Sequence, residues 1–343
     1  MPDILQLVSN KDLLDFSQNL SIKRNYMGDR LFPDIKTQNL QAEFYRLSDP
    51  LQIPKMAKVH GFDTEASIGT RPTFEKVMLE KMLIKEKINQ SERVRLLKDT
   101  GVDQASLVGY VYDDMGRLAE SVKTRTEVMK MELIQSGKIK VKENGLDFTV
   151  DYAVPAGNKK AYTWTAADHD ILADIQEMVD IAKNAGQTIT KVITSTKIVG
   201  KLRVNQSIQK AINGTANGLG IFISLSQINA LMNDMFGFVI EVNDERYSYE
   251  TAAGTITTKR YLEEGKFVMV ATLANGTAGA GLWGVTPEES TMGPWTAASS
   301  QQYITINQWA TADPVATWTK ASGVFIPAMP NSNGLVIGTI TLA

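Results

Sequence analysis

The alternation of apolar and polar positions is clearest between Asp103 and Gly137. Leu107, Val111, Met115, Leu118, Val122, Met129 and Leu133 recur at steps of three, four or seven, which places them on one stripe of a helix. Asp113, Asp114, Arg117, Glu120, Lys123, Arg125, Glu127, Lys130 and Glu132 fill the other faces. Asp103 or Ser106 can cap its start and Gly137 can end it in a left-handed turn. Such a helix is roughly 45–50 Å long, a strut as long as a small domain is wide. It runs into KIKVKENGLDFTVDY, residues 138–152, where alternation on both sides of Asn144-Gly145 predicts a β-hairpin with a type I′ turn. The apolar stripe is expected to pack on this hairpin and on the C-terminal strands.

The remaining pattern sorts into shorter elements. Asp12–Leu20 is a short amphipathic segment, and Leu40–Leu47 reads as a strand. Phe74–Ile88 is ambiguous: Phe74, Val77, Met78 and Met82 suit a helix better than Leu79, Met82 and Ile84 suit an exposed strand. After a loop over 155–165, helices are predicted at Asp168–Ala185, 196–212 and Ser226–Phe236, with strands at Thr188–Ser195 and Phe238–Val242. This alternation reads as a compact mixed domain. From Lys266 to the C-terminus the chain is strand-like: KFVMVATL, AGLWGV, QQYITINQWA, TWTKASGVFIPA and GLVIGTITLA.

Composition adds constraints. A chain of 343 residues has material for two domains or one elongated one. A net charge of −2 gives no global attraction to nucleic acid or anionic membrane. The absence of cysteine excludes disulfides, thiolate metal sites and a cysteine nucleophile. The N-terminus does not read as a signal peptide, and no apolar run is long enough to span a membrane. The basic run Arg71–Lys98 lacks interleaved aromatics for base stacking and suits a solvated or partner-facing surface. From Phe267 to Ala343 the only charged residues are Glu288, Glu289, Asp313 and Lys320. Either this tail is covered by something, or it is a β domain with a Thr-rich surface.

Candidate chemistry is sparse. Asp168-His169-Asp170 resembles a ligand cluster, but adjacent residues at a helix start point apart, and capping explains the acids. His60 has no sequence partner. The run Gly276–Gly284 lacks the following helix that a phosphate loop needs and reads as a turn region. Glu263-Glu264 and Glu288-Glu289 sit in polar turns. No catalytic, cofactor or metal constellation assembles, so the chain is not expected to be an enzyme.

The order of elements resembles the major capsid proteins of tailed bacteriophages with the Hong Kong 97-type fold, and more closely the lambda-type family, major capsid protein E. Four stretches carry the likeness: LIQSGKIKVKENGLDFTVDYAV, the segment around Trp164 with ADHDILADIQEMVDIAKNAGQTITKVITS, KRYLEEGKFVMVATLANGTAGAGLWGVTPEE, and the terminal strand ending TITLA. The resemblance implies an α+β capsid fold with an N-terminal arm at 1–36 and an extended β loop at 37–90. It also implies a peripheral domain at 91–164 containing the spine helix 103–137 and the hairpin, an axial domain at 165–310, and return strands of the peripheral domain at 311–343. It makes Phe74–Ile88 a strand, against the pattern. Charged residues on the loop and helix, Glu75, Lys76, Glu80, Lys81, Lys85, Glu86, Arg117, Lys123 and Arg125, become candidates for contacts between subunits. Gly116 is a candidate bend in the spine helix, or simply a point of close packing.

The implied function is a homo-oligomeric shell of hexamers and pentamers, icosahedral and enclosing double-stranded DNA without sequence specificity. It would be assembled in the bacterial cytoplasm and be part of the virion, with no membrane partner. The implied partners are a scaffolding protein on a separate chain and a portal, with a decoration protein left open. An encapsulin-like compartment and a mixed α/β enzyme are the alternatives. Val122→Asp is expected to block folding, and Lys123→Ala to leave the subunit folded.

Overall fold

The computed structural model describes residues 24–47, 56–60, 62, 64–66, 74–90, 104–214, 220–251, 254–292, 297–298, 303–312 and 315–342. The amphipathic segment expected at Asp12–Leu20 lies outside them. In chain order, α1 (Met27–Leu31), β1 (Asp34–Lys36), β2 (Gln41–Leu47), β3 (Phe74–Glu80) and β4 (Met82–Gln90) precede α2 (Gln104–Ser136). Then come β5 (Lys138–Glu143), β6 (Leu146–Asp151), β7 (Lys159–Thr163), α3 (Ile171–Asn184), β8 (Lys191–Thr194), α4 (Thr196–Val204), α5 (Gln206–Asn213), α6 (Leu225–Phe236) and β9 (Val239–Val242). The chain ends with β10 (Arg246–Glu250), β11 (Ile256–Arg260), β12 (Lys266–Val270), β13 (Ala280–Trp283), α7 (Pro287–Met292), β14 (Ala297–Ala298), β15 (Thr305–Ala312), β16 (Val315–Ala328) and β17 (Leu335–Thr341).

These elements group into two compact units, one of residues 1–42, 78–130 and 280–328, the other of 43–77, 131–279 and 329–343. In the first, β16 is the spine of a six-stranded sheet in the order β1-β13-β16-β15-β14, with β4 also paired to β16. β4 runs antiparallel to β16 from Gln90 opposite Thr317 to Met82 opposite Phe325. Phe74–Ile88 is therefore strand, as the resemblance implied and the helical pattern did not. Helical periodicity was misleading because β4 presents lysines and glutamates to solvent while β16 supplies its hydrogen bonds.

On α2, Met115, Leu118, Val122, Met129 and Leu133 are buried as the stripe predicted. The opposite faces are less polar in fact than in sequence: Ala119, Met131 and Ile134 are buried, and so are Asp114, Lys123, Glu127 and Lys130. A Cβ on Gly323 would lie 3.1 Å from Val122 Cγ1, so β16 packs directly on this helix. Gly137 ends α2 at φ +73, donating its N–H to Leu133 O at 2.7 Å. Asn144 and Gly145 both have positive φ, as a type I′ turn demands. The hairpin they close forms a separate two-stranded sheet, β5-β6.

The second unit is built on a five-stranded sheet, β7-β17-β12-β8-β9. Ile175, Met178 and Val179 of α3, with Ile198, Leu202, Ile228 and Met232, fill the core beneath it. Trp164 meets Phe267 edge-on at 5.6 Å, a pairing worth about 0.5–1.5 kcal/mol beyond burial. The helix expected at 196–212 is two helices. Asn205 leaves the helical region and its side chain accepts the Ile208 N–H, capping α5.

Two boundaries differ from expectation. β17 lies in the second unit's sheet rather than returning to the sheet beside α2, while β13 and β15, expected in the mixed domain, lie in the first. Within the uncharged tail, the described residues Val324, Phe325, Ile326, Leu335 and Val336 are interior residues of the two sheets. Among its described charges, Lys320 pairs with Glu288 and Glu289 with Lys36.

Candidate assembly surfaces

Lys123 and Lys130 are seven residues apart, two helical turns, and so share one face of α2. Both are buried, at 4% and 0% side-chain exposure. The segment around α1 and β1 meets them with Asp29 and Asp34. Lys130 Nζ is 2.5 Å from Asp29 Oδ1 and 3.0 Å from Asp34 Oδ1. Lys123 Nζ hydrogen-bonds Asp34 Oδ2 and lies 3.6 Å from Asp29 Oδ2. The Gly28 N–H donates to Glu127 Oε1 at 2.9 Å, and the hydroxyls of Tyr26 and Thr124 share a hydrogen bond of 3.0 Å. Rings close the site, with Lys123 Nζ 5.4 Å from the Trp283 centroid and Lys130 Nζ 5.3 Å from that of Phe325.

Two glycines make room for this clasp. A Cβ on Gly28 would overlap the Glu127 carboxylate, and one on Gly281 would lie 2.7 Å from Asp34 Oδ1. Burial alone would raise the Asp34 pKa, but the charges of Lys130 and Lys123 outweigh it and hold the carboxyl below its ordinary value. Lys123 is thus removed from the candidates for contacts between subunits. It is an internal ion-pair residue, and the helical-wheel reading missed this because its partners are about ninety residues away in sequence.

Lys81 is corrected in the same way. It sits between β3 and β4, is buried, and donates to the Thr37 hydroxyl and the Asn39 carbonyl. Desolvation lowers its pKa. Glu80, Lys85 and Glu86 are exposed, Glu75 lies on β3, and Lys76 pairs with Glu43 at 2.8 Å. Arg117 pairs along the helix with Asp113 at 2.7 Å, and Arg125 is half-buried. α2 is continuous through Gly116.

The sequence reading overlooked the apolar side chains of this loop. Met56, Val59 and Phe62 are 94%, 99% and 101% exposed, and Met78 and Leu83 on the strands are also exposed. Large apolar groups with no cover of their own mark an interaction surface. The available signal was the clustering of Met56, Val59 and Phe62 just after Pro54, without the period of any regular element.

His169 and Asp170, weighed in the sequence as candidate ligands, have structural roles. His169 Nε2 and Trp164 Nε1 both lie 2.7 Å from Asp174 Oδ2, which pins the start of α3. Asp170 caps that helix by accepting the Ala173 N–H. The glycine-rich run enters β13. Among the described residues no cluster of His, Asp or Glu could hold a metal ion. No described helix is long and apolar enough to cross a membrane.

Several solved structures share this architecture across nearly the full chain. The capsid protein assigned to a prophage of E. coli CFT073 aligns with a TM-score of 0.61 at 15% identity, covering 97% of this chain and 99% of that one. A phage-related protein from Bordetella bronchiseptica RB50 gives 0.56 at 11% identity over 95% of both chains. The mature capsid of bacteriophage PhiM1 gives 0.50 at 10% identity, covering 94% and 89%. At these identities the likeness shows the fold, which is the Hong Kong 97-type capsid fold. No curated protein sequence matches. The sequence model of the family described as phage major capsid protein E matches residues 10–340. The chain therefore belongs to the phage major capsid protein E family and is a capsid shell protein, with the homo-oligomeric assembly and virion location that this entails.

Proposed function

We propose that this chain forms the hexamers and pentamers of an icosahedral phage head enclosing double-stranded DNA. The observation that carries this reading is the outward, uncovered apolar surface at Met56, Val59 and Phe62 on a chain of the capsid family. Residues 37–90 act as the extended loop that lies on a neighbouring subunit, residues 1–36 as the arm, and α2 as the spine. The peripheral region is the first unit with the base of the spine, and the axial region is built on the five-stranded sheet. Glu75, Lys76, Glu80, Lys85, Glu86, Arg117 and Arg125 meet neighbouring copies. Exposed pairs of this kind contribute only about 0–1 kcal/mol each, but a shell repeats each contact in every copy. Gly116 is the candidate point for a bend of the spine between two shell states, because glycine weakens a helix interior by about 1 kcal/mol, with close packing at Gly116 as the alternative.

The protein works without catalysis, metal or cofactor. Its partners are other copies of itself, a scaffolding protein, a portal and DNA contacted through its backbone, with assembly in the bacterial cytoplasm. Electron microscopy of the purified protein tests this reading. Hollow shells or capsomer rings are expected. Only monomers or dimers, with and without scaffold, would overturn it, and an enzyme cargo in place of DNA would favour the encapsulin-like alternative.

A further inference from the structure

A ring of identical subunits is closed by heterologous contacts, in which one patch of each copy meets a different patch of the next. The second unit carries two such patches, at opposite ends of α6. At the N-terminal end lie Ile221 and Phe222, exposed at 50% and 76%, beside Val204 of α4. They rim a groove of about 540 Å³. Arg203 lines it too, its Cζ 5.4 Å from the Phe222 ring and its Nε buried without a hydrogen-bond partner. α4 and α5 contain Lys197, Lys201, Arg203 and Lys210 and no acid. At the C-terminal end of α6 lie Asp234, Met235 and Val239, all exposed. Among the described residues, neither Arg203 nor Asp234 has an ion-pair partner.

α6 holds the two patches apart rigidly. Ser224 and Gln227 form a capping box at its start, and Gly237 ends it at φ +82. Its 12 residues span about 18 Å. β9 is the edge strand of the five-stranded sheet, but Asn229 closes its outer side. The Asn229 amide donates to Ile240 O at 3.2 Å, and the Ile240 N–H donates to Asn229 Oδ1 at 2.9 Å. Strand addition is blocked at this point, which leaves side chains to make the contact.

We propose that the apolar and basic patch of Arg203, Val204, Ile221 and Phe222 docks on the apolar and acidic patch of Asp234, Met235 and Val239 of the next copy, head to tail around a ring. The complementarity is double, apolar to apolar and cation to anion. The contact rests on the shell reading above, since it needs a ring to close.

The absence of native cysteine allows a clean test. Assembled particles of the Phe222→Cys, Met235→Cys double variant, treated with a short bismaleimide, are expected to give a ladder of covalent multimers. Each single variant stays monomeric, and a co-assembled mixture of the two stops at dimers. Particles of the double variant that remain monomeric overturn the contact and leave the shell reading intact. A wild-type chain that forms no particles overturns both. A charge exchange provides an independent readout if the cysteine variant fails to fold. Arg203→Glu and Asp234→Arg should each reduce particle yield at least tenfold, and the combined exchange should restore most of it. Full assembly by both single variants, or no recovery in the exchange, overturns the contact.

Discussion

Two regions of this chain invert the usual placement of polar and apolar groups, for opposite reasons. On α2, two lysines are buried with Asp29 and Asp34. On the loop between β2 and β3, Met56, Val59 and Phe62 point into solvent. The first inversion is resolved within the chain, because buried charge is tolerable only when paired and hydrogen-bonded. The second is resolved only by another molecule, because three fully exposed apolar groups gain nothing from their own fold. Residue type alone would have assigned the lysines to a partner and the apolar residues to a core. Both assignments are reversed, and what reverses them is the identity of the nearest neighbours.

The comparison breaks first if the helix face beside the clasp is disrupted. Val122 is buried on α2 against β16. Val122→Asp would place an unpaired charge there, a change expected to exceed about 4 kcal/mol, and should leave no cooperative thermal transition. Lys130→Ala is next. It leaves Asp29 and Asp34 short of a cation in a buried site, expected to cost about 3–5 kcal/mol and to be visible as a lower urea midpoint. Lys123→Ala should behave similarly, although its place on the helix suggested only that the subunit would stay folded. If either alanine variant unfolds like the wild type, the clasp is not holding the N-terminal segment.

Acid should loosen the same region. The carboxyl of Asp34 titrates near 3.8 when unfolded and lower when folded. The stabilisation is therefore complete above the unfolded value and is lost as pH falls from about 3.8 through the folded value. Hydrogen exchange of residues 27–36 should accelerate over that range, more than the general acid response of the second unit. Asp34→Asn should abolish that extra sensitivity. An unchanged acid profile in Asp34→Asn would count against the pairing.

Local chemistry was legible in the sequence wherever it is self-sufficient. Asn144-Gly145 specifies its turn, Gly137 its helix end, and the apolar stripe from Met115 to Leu133 its buried face. Pattern failed where distant residues decide. β4 is strand because β16 supplies its hydrogen bonds, and Phe74–Ile88 on its own looked helical. Lys81 and Lys123 are internal because Thr37, Asn39, Asp29 and Asp34 reach them from other elements. Asn205 broke a helix that apolar spacing would have continued, by offering its side chain to the next one. The family was legible because the order of elements survives even when single motifs are loose. The assembly residues were harder, since an exposed phenylalanine is a statement about neighbours and carries no local signature.

The smallest effect on stability, and the sharpest form of the comparison, is expected on the loop. Replacing Met56, Val59 and Phe62 together by serine removes side chains that touch almost nothing in their own chain. Urea unfolding of the dissociated chain should therefore shift by no more than about 0.5 kcal/mol. In a core, the phenylalanine alone would cost about 3–5 kcal/mol on truncation. Assembly should respond in the opposite way. Covering each of these groups against a neighbour is worth about 1.5–3 kcal/mol, so losing three per copy should remove most of the light scattering that reports particle formation. Lys130→Ala should show the reverse pattern, a large loss of subunit stability that precedes any effect on contacts. If the triple serine chain assembles normally, the loop is not an anchor. If it unfolds early, its apolar groups belong to the subunit after all, and the two regions differ in degree only.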